Sequence, residues 1–89
     1  MATMFIRHRV ADYAAWRRVY DSFAPTQKAL GVTADAVYQA ADDPNDLTVS
    51  HDFATIEAAK AFLGSAELHG VMASAGVEGQ PTVWFTSRA

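Results

Sequence analysis

The chain has 89 residues, 51% of them hydrophobic and 19% charged, with seven Lys or Arg against ten Asp or Glu and a formal charge of −3. That length allows one domain, spanning 1–89, and a core that stays marginal unless an oligomer extends it, because so short a chain buries only about two-thirds of its unfolded surface. The lack of a basic excess argues against nucleic acid as a partner, and the absence of cysteine excludes disulfides, thiolate metal sites and Fe–S clusters.

Met4 to Val10 reads as a strand, with Met4, Ile6, His8 and Val10 on one face and Phe5, Arg7 and Arg9 on the other. Asp12 is a candidate N-cap for an amphipathic helix in which Tyr13, Trp16, Tyr20, Phe23, Gln27 and Leu30 recur at three- and four-residue steps. Pro25 crowds the carbonyl of Asp21, so this helix should kink or restart near Ala24, and Gly31 should end it. Val32 to Ala41 alternates as a second strand, Asp42 to Asp46 is dense in turn-forming residues, and Leu47 to Phe53 is a third strand. Strands two and three thus form a hairpin. Thr55 can cap a second helix that buries Ile56, Ala59, Phe62 and Leu63, and Ser65 can cap a third with Leu68, Val71, Met72 and Ala75. Gly76, Gly79 and Pro81 lead out of it to a last strand, Thr82 to Ser87.

The order β-α-β-β-α-α-β predicts an α+β, ferredoxin-like fold: a four-stranded antiparallel sheet with helices on one face. Strands one and three are then central neighbours. The face of Ile6, His8, Val10, Val49, His51 and Phe53 is the more apolar and should meet the helices. The opposite face mixes Phe5, Arg7, Arg9, Ser50, Asp52 and Trp84, an odd composition for a solvent face. Either another sheet covers it, with Arg7 and Arg9 paired to Asp52 inside the resulting barrel, or Trp84 is simply exposed.

Three histidines raise the question of a metal site. His8 and His51 each lie towards the C-terminal end of antiparallel strands, so they should sit towards opposite ends of the sheet, and no His-x-His or His-x₃-His pair exists. No metal is expected. Asp42, Asp43 and Asp46 lack the glycine and terminal glutamate of a calcium loop, and no phosphate loop, nucleophile elbow or dinucleotide fingerprint occurs. His8 and His51 remain as separate polar side chains on an apolar face. Each is either a hydrogen-bonded core imidazole or a general base near neutral pH, with His51 favoured because Val49 and Phe53 make a polar group there costly. Tyr13, Trp16, Tyr20 and Phe23 are core residues that can also wall an aromatic-sized pocket, with Tyr20 as hydrogen-bond donor. His69 belongs at the surface or the cleft rim.

The segments Arg7-His8-Arg9-Val10-Ala11-Asp12-Tyr13 with Trp16, the acidic hairpin Asp42-Asp43-Pro44-Asn45 and its exit His51-Asp52-Phe53 share an order with one known group of proteins. So do Ala59-Lys60-Ala61-Phe62, Ser65-Ala66-Glu67-Leu68 and the closing Val83-Trp84-Phe85. From Met4 to Arg88 the chain resembles the dimeric α/β-barrel superfamily, and within it the antibiotic-biosynthesis-monooxygenase and polyketide-cyclase-like small proteins. The resemblance implies a homodimer whose two sheets pack face to face, and a cleft between helices and sheet for a small aromatic or polyketide-like molecule.

It also implies catalysis without a cofactor. The haem-degrading branch carries a tryptophan and a histidine where Phe62 and Val71 stand here, with His69 two residues away, so no haem is expected. The plant cyclase branch carries a tyrosine near Phe62 and a histidine near His69. The expectation is a cofactor-independent cyclase or monooxygenase with His51, Tyr20 and His8 as catalytic residues. Tyr13, Trp16, Phe23, Phe62 and His69 would bind substrate. The alternatives are a module that binds a hydrophobic metabolite without chemistry, and a stress-related structural dimer whose own side chains fill the cleft. No apolar run approaches the roughly 20 residues that span a bilayer, and Met1 to Val10 lacks the pattern of a secretory signal. A cytoplasmic protein with no membrane partner is therefore expected.

Overall fold

In the computed structural model, which describes residues 1–89, alternation along the first strand puts Ala2, Met4, Ile6, His8 and Val10 on one buried face. This strand, β1 (Ala2–Val10), is followed by α1 (Tyr13–Ser22), α2 (Ala24–Ala29), β2 (Ala34–Ala40) and β3 (Asp43–Phe53). Then come α3 (Ile56–Leu63), α4 (Ala66–Ser74) and β4 (Val77–Ser87). The strands form one antiparallel sheet in the order β2-β3-β1-β4, with the helices on one face, so the ferredoxin-like α+β arrangement holds. No helix is long and apolar enough to cross a membrane.

Local chemistry explains the helix boundaries. Asp12, Thr55 and Ser65 each accept a hydrogen bond from the backbone N–H three residues on, at 2.9, 3.1 and 3.2 Å. Near Ala24 the chain restarts: α1 stops at Ser22, Phe23 bridges, and Pro25 sits in the first turn of α2, where its missing N–H costs nothing. Gly31, at φ +100°, closes α2, with its own N–H bonded to Lys28 and that of Val32 to Gln27. This double bond pattern needs a left-handed residue between the two, which glycine supplies at least cost.

Four strand starts differ from the sequence reading. β1 starts at Ala2, two residues before Met4, because Ala2 and Thr3 continue the ladder opposite Phe53 and Asp52. β3 starts at Asp43, because Asp46 pairs with Arg9 in the ladder and the turn contracts to Ala41 and Asp42. β2 starts at Ala34, since Val32 bonds back to Gln27 at the exit from α2 and Thr33 only joins the chain to β3 through the Asp52 carbonyl. β4 begins at Val77, five residues before the expected Thr82, and carries Gly79 and Pro81 inside it. A bulge accommodates them: Arg9 pairs with Glu78 and Arg7 with Thr82, leaving Gly79, Gln80 and Pro81 opposite His8 alone. Gly79 takes φ +69° there, and β4 is an edge strand, which tolerates a proline.

The core has two parts on the helix side of the sheet. Met4, Ile6, Phe53, Phe23, Ala59, Phe62 and Leu68 pack at one end, and Val10, Trp16, Leu47, Val49 and Ala75 at the other. On the opposite face Phe5 and Trp84 stack with ring centroids 5.3 Å apart, and Trp84 and Tyr38 are 40% and 57% exposed. Within the chain, Arg7 and Arg9 do not pair with Asp52. Arg7 instead donates two hydrogen bonds to Asp46, at 3.1 and 2.7 Å, and Arg9 donates to Asp43. Asp52 accepts from the Thr3 hydroxyl at 2.8 Å. Register decides this. Arg7 and Arg9 lie opposite Thr48 and Asp46, and Asp52 lies opposite Thr3.

Candidate functional site

Polar residues at buried positions of β1 and β3 mark the site. His51 is 2% exposed and His8 is 8% exposed, both on the helix side of the sheet. His51 pairs across strands with Met4, and His8 with Leu47, so their Cα atoms lie four strand residues apart, roughly 13 Å. The two rings are not segregated to opposite ends of the sheet, as the sequence suggested. Both line one small cavity, on either side of Ile6 and Val49. His69 belongs elsewhere, so the three imidazoles do not converge.

The cavity measures about 30 Å³ and is lined mostly by apolar groups. Trp16, Tyr20, Phe23 and Gln27 form its wall from α1 and α2, and Leu68, Val71, Met72 and Ala75 its wall from the α4 side. Both ring nitrogens of His8 and the Nδ1 of His51 have no hydrogen-bond partner. A buried polar atom without a partner costs about 1–3 kcal/mol, so three of them on two residues that line one cavity mark a place built for something other than packing. The volume suits about one water molecule.

Burial dominates the protonation of both rings. It pushes the His51 imidazole down to about 4, outweighing the opposing fields of Asp35 and Asp52, while His8 adds slightly to the downward shift. His8 is lowered for the same reason, with Asp46 opposing. Both rings are therefore less basic than the near-neutral base expected from sequence. At pH 7 both rings are neutral, and each offers one donor and one acceptor nitrogen.

Tyr20 stacks on Trp16 with centroids 4.7 Å apart and donates its proton to Asp35 on β2. Burial and this bond raise the phenol well above its ordinary range, against the smaller downward effect of Gln27 nearby. The hydroxyl therefore has no proton left for a substrate carbonyl, the role assigned from sequence. It presents a lone pair, which suits a donor on the ligand.

Of the other expected site residues, Trp16 and Phe23 line the cavity, but Tyr13, Phe62 and His69 do not. Tyr13 stacks on the outer side of Trp16, at 6.0 Å between centroids, and its backbone N–H bonds to the Asn45 side chain. Phe62 is wedged behind the cleft between His51, Phe53 and Phe23, at 5.3, 5.4 and 6.3 Å. His69 is exposed on α4, where its Nε2 donates to the Leu63 carbonyl at 3.1 Å, and it borders a separate groove. Two residues had been given no role. Gln27 is 4% exposed and lines the cavity, and its only sequence signal was an amide inside an apolar helical stripe. Asp35 gave no signal, because its link to Tyr20 exists only once β2 lies beside the helices.

No protein-family model and no curated protein matches the chain. Solved structures do. A Bordetella bronchiseptica protein described as an antibiotic biosynthesis monooxygenase superposes with TM-score 0.85 at 15% identity, over 99% of this chain and 96% of that one. SnoaB from Streptomyces nogalater, a cofactor-independent oxygenase, gives 0.76 at 15% identity over 99% and 93%. A Nitrosomonas europaea protein of unknown function, NE2512, gives 0.75 at 22% identity over 96% and 85%. At such identities the likeness is one of fold. The chain has the ferredoxin-like fold of the antibiotic biosynthesis monooxygenase-like structures, as its segment order suggested.

Proposed function

We propose that the protein is a cofactor-independent oxygenase-type enzyme acting on an aromatic, polyketide-like substrate in the cleft of His8, His51, Trp16 and Tyr20. The observation that carries this is a pair of buried imidazoles with unpartnered nitrogens, both of which line an apolar, aromatic-walled cavity. Two neutral rings there can orient a phenol or carbonyl edge, while Trp16, held between Tyr13 and Tyr20, walls the pocket with its indole edge. The fold shared with SnoaB supports the same class.

The chemistry needs a substrate with an activated methylene beside a ring carbonyl. His51 takes the proton, and the C–H electron pair stays on carbon as a delocalised enolate. Dioxygen accepts those electrons and forms a C–O bond, and the imidazolium returns the proton to the peroxide. Loss of water breaks the O–O bond and leaves a carbonyl, so CH₂ plus O₂ becomes C=O plus H₂O. For an acid of pKa near 10, transfer to a ring at about 4 is uphill by about 8 kcal/mol. The enolate formed beside the ring lowers that gap, because an adjacent negative charge raises an imidazole pKa.

We further propose a homodimer formed through the sheet face of Phe5, Arg7, Arg9, Ser50, Asp52 and Trp84. The exposed indole and the small size of one chain support it. The small cavity favours a second reading, a non-catalytic dimer whose side chains fill the cleft. Oxygen uptake with a tricyclic anthrone, without added metal or reductant, separates the two. Turnover above the spontaneous rate, lost in His51→Gln, supports the enzyme. An unchanged rate refutes it.

A further inference from the structure

A second, larger hollow lies next to the site. It measures about 340 Å³, opens to solvent between α4 and β4, and is bordered by Leu63, His69, Ala73, Val77 and the bulge residues Gly79, Gln80 and Pro81. Ile6, Leu68 and Met72 line this groove and also the small histidine cavity. These three side chains are therefore the wall between them. Ile6 and Leu68 are core residues, 2% and 5% exposed, whereas Met72 is only partly buried. An unbranched thioether has three rotatable bonds and is the easiest of the three to move.

Each hollow lacks what the other has. The histidine cavity has unpartnered buried nitrogens but room for about one water. The groove reaches the lower end of the ~300–1,000 Å³ range of ligand sites, but no buried polar group anchors a molecule in it. The groove also owes its form to the β4 bulge, in which three residues stand opposite His8 alone. Bulges concentrate beside functional sites, where they end pairing locally.

On the basis of the cleft proposed above, we infer that groove and cavity are two halves of one binding site, with the Met72 side chain as the movable partition between them. The occupant is a planar polycyclic phenol. Its hydroxylated edge lies against His8 and His51, one ring lies along Trp16, and the distal ring rests in the α4–β4 groove. Met72 is thus a gating residue, which sets how long a ring system the site admits.

The test uses 1-naphthol as probe and the two indole N–H resonances of the chain, assigned with Trp84→Phe. Trp16 lines the cavity, and Trp84 lies on the opposite sheet face. Native protein should shift the Trp16 signal on titration and leave Trp84 in place. Met72→Ala should tighten apparent binding about tenfold, because the open state no longer has to be populated at the expense of the closed one. Gln80→Phe, at an exposed position on the groove's far wall, should weaken binding about tenfold without touching the cavity. A Trp16 shift with the same affinity in native, Met72→Ala and Gln80→Phe proteins overturns the partition while leaving the cleft as a ligand site. No Trp16 shift in native or Met72→Ala protein overturns both. If Met72→Ala does not fold, Gln80→Phe decides alone: unchanged affinity refutes the proposal.

Discussion

The His51 imidazole lies against the Phe62 ring, centroids 5.3 Å apart and tilted by 46°, so one side of the ring is sealed by core and the other borders the cavity. Phe62 thereby holds the histidine neutral and aimed. It is a supporting residue for the site, and touches no ligand space itself.

Replacing His51 by Gln keeps a polar side chain of similar reach but removes the imidazole as a proton acceptor. Turnover of an anthrone should fall by about 10²–10⁴-fold, the usual loss for a positioned base. Oxygen-electrode rates, with circular dichroism to confirm an unchanged fold, measure this. Full activity in the variant removes His51 from the mechanism.

Acid should destabilise the protein before Asp43 and Asp46 take up protons. The folded His51 binds its proton near 4 and an ordinary histidine near 6.5, so the unfolded chain binds more protons as the pH falls below 6.5. Stability present above pH 6.5 is then lost progressively down to about pH 4, by about 3 kcal/mol. His8, shifted in the same direction, adds to it. Asp43 and Asp46 are held below 3.8 by hydrogen bonds from the Asn45 backbone and from Arg9 and Arg7, so their loss comes at lower pH. Urea midpoints at pH 7.5, 5.5 and 4.5 should decline in native protein and decline less in His51→Phe. Equal slopes in the two would show that His51 is not the sensor.

Truncating Phe62 to Ala should cost about 3–5 kcal/mol, because it opens a hole among His51, Phe53 and Phe23. Tyr20→Phe should cost under about 1 kcal/mol, since the Asp35 carboxylate it leaves is exposed and can turn to water. Urea denaturation of both variants at pH 7.5 ranks them. The reverse order would contradict the packing described.

Light scattering at micromolar concentration should give twice the chain mass. Trp84→Glu, on the outer sheet face beside Phe5, should shift the protein towards monomer while leaving its secondary structure intact. A native monomer, or a dimer indifferent to this change, would exclude the proposed surface.

The strand alternation of Met4 to Val10 and Leu47 to Phe53, the helical stripe from Tyr13 to Leu30 and the caps at Asp12, Thr55 and Ser65 were legible from the chain itself. Each depends only on side-chain periodicity and on donors within three residues. From these follow the element order, the central pairing of β1 with β3 and the burial of His8 and His51. What only the tertiary structure decided were matters of register and closure. Arg7 meets Asp46 rather than Asp52 because cross-strand partners depend on the pairing offset, which alternation alone leaves open. Gly79 and Pro81 read as the way out of the last helix, yet they lie within β4, because a bulge on an edge strand absorbs residues that a regular ladder would reject. Tyr20 lost its free proton to Asp35 because β2 comes beside α1 only in the fold, and His51 lost its ordinary basicity because packed helices shut water away from it.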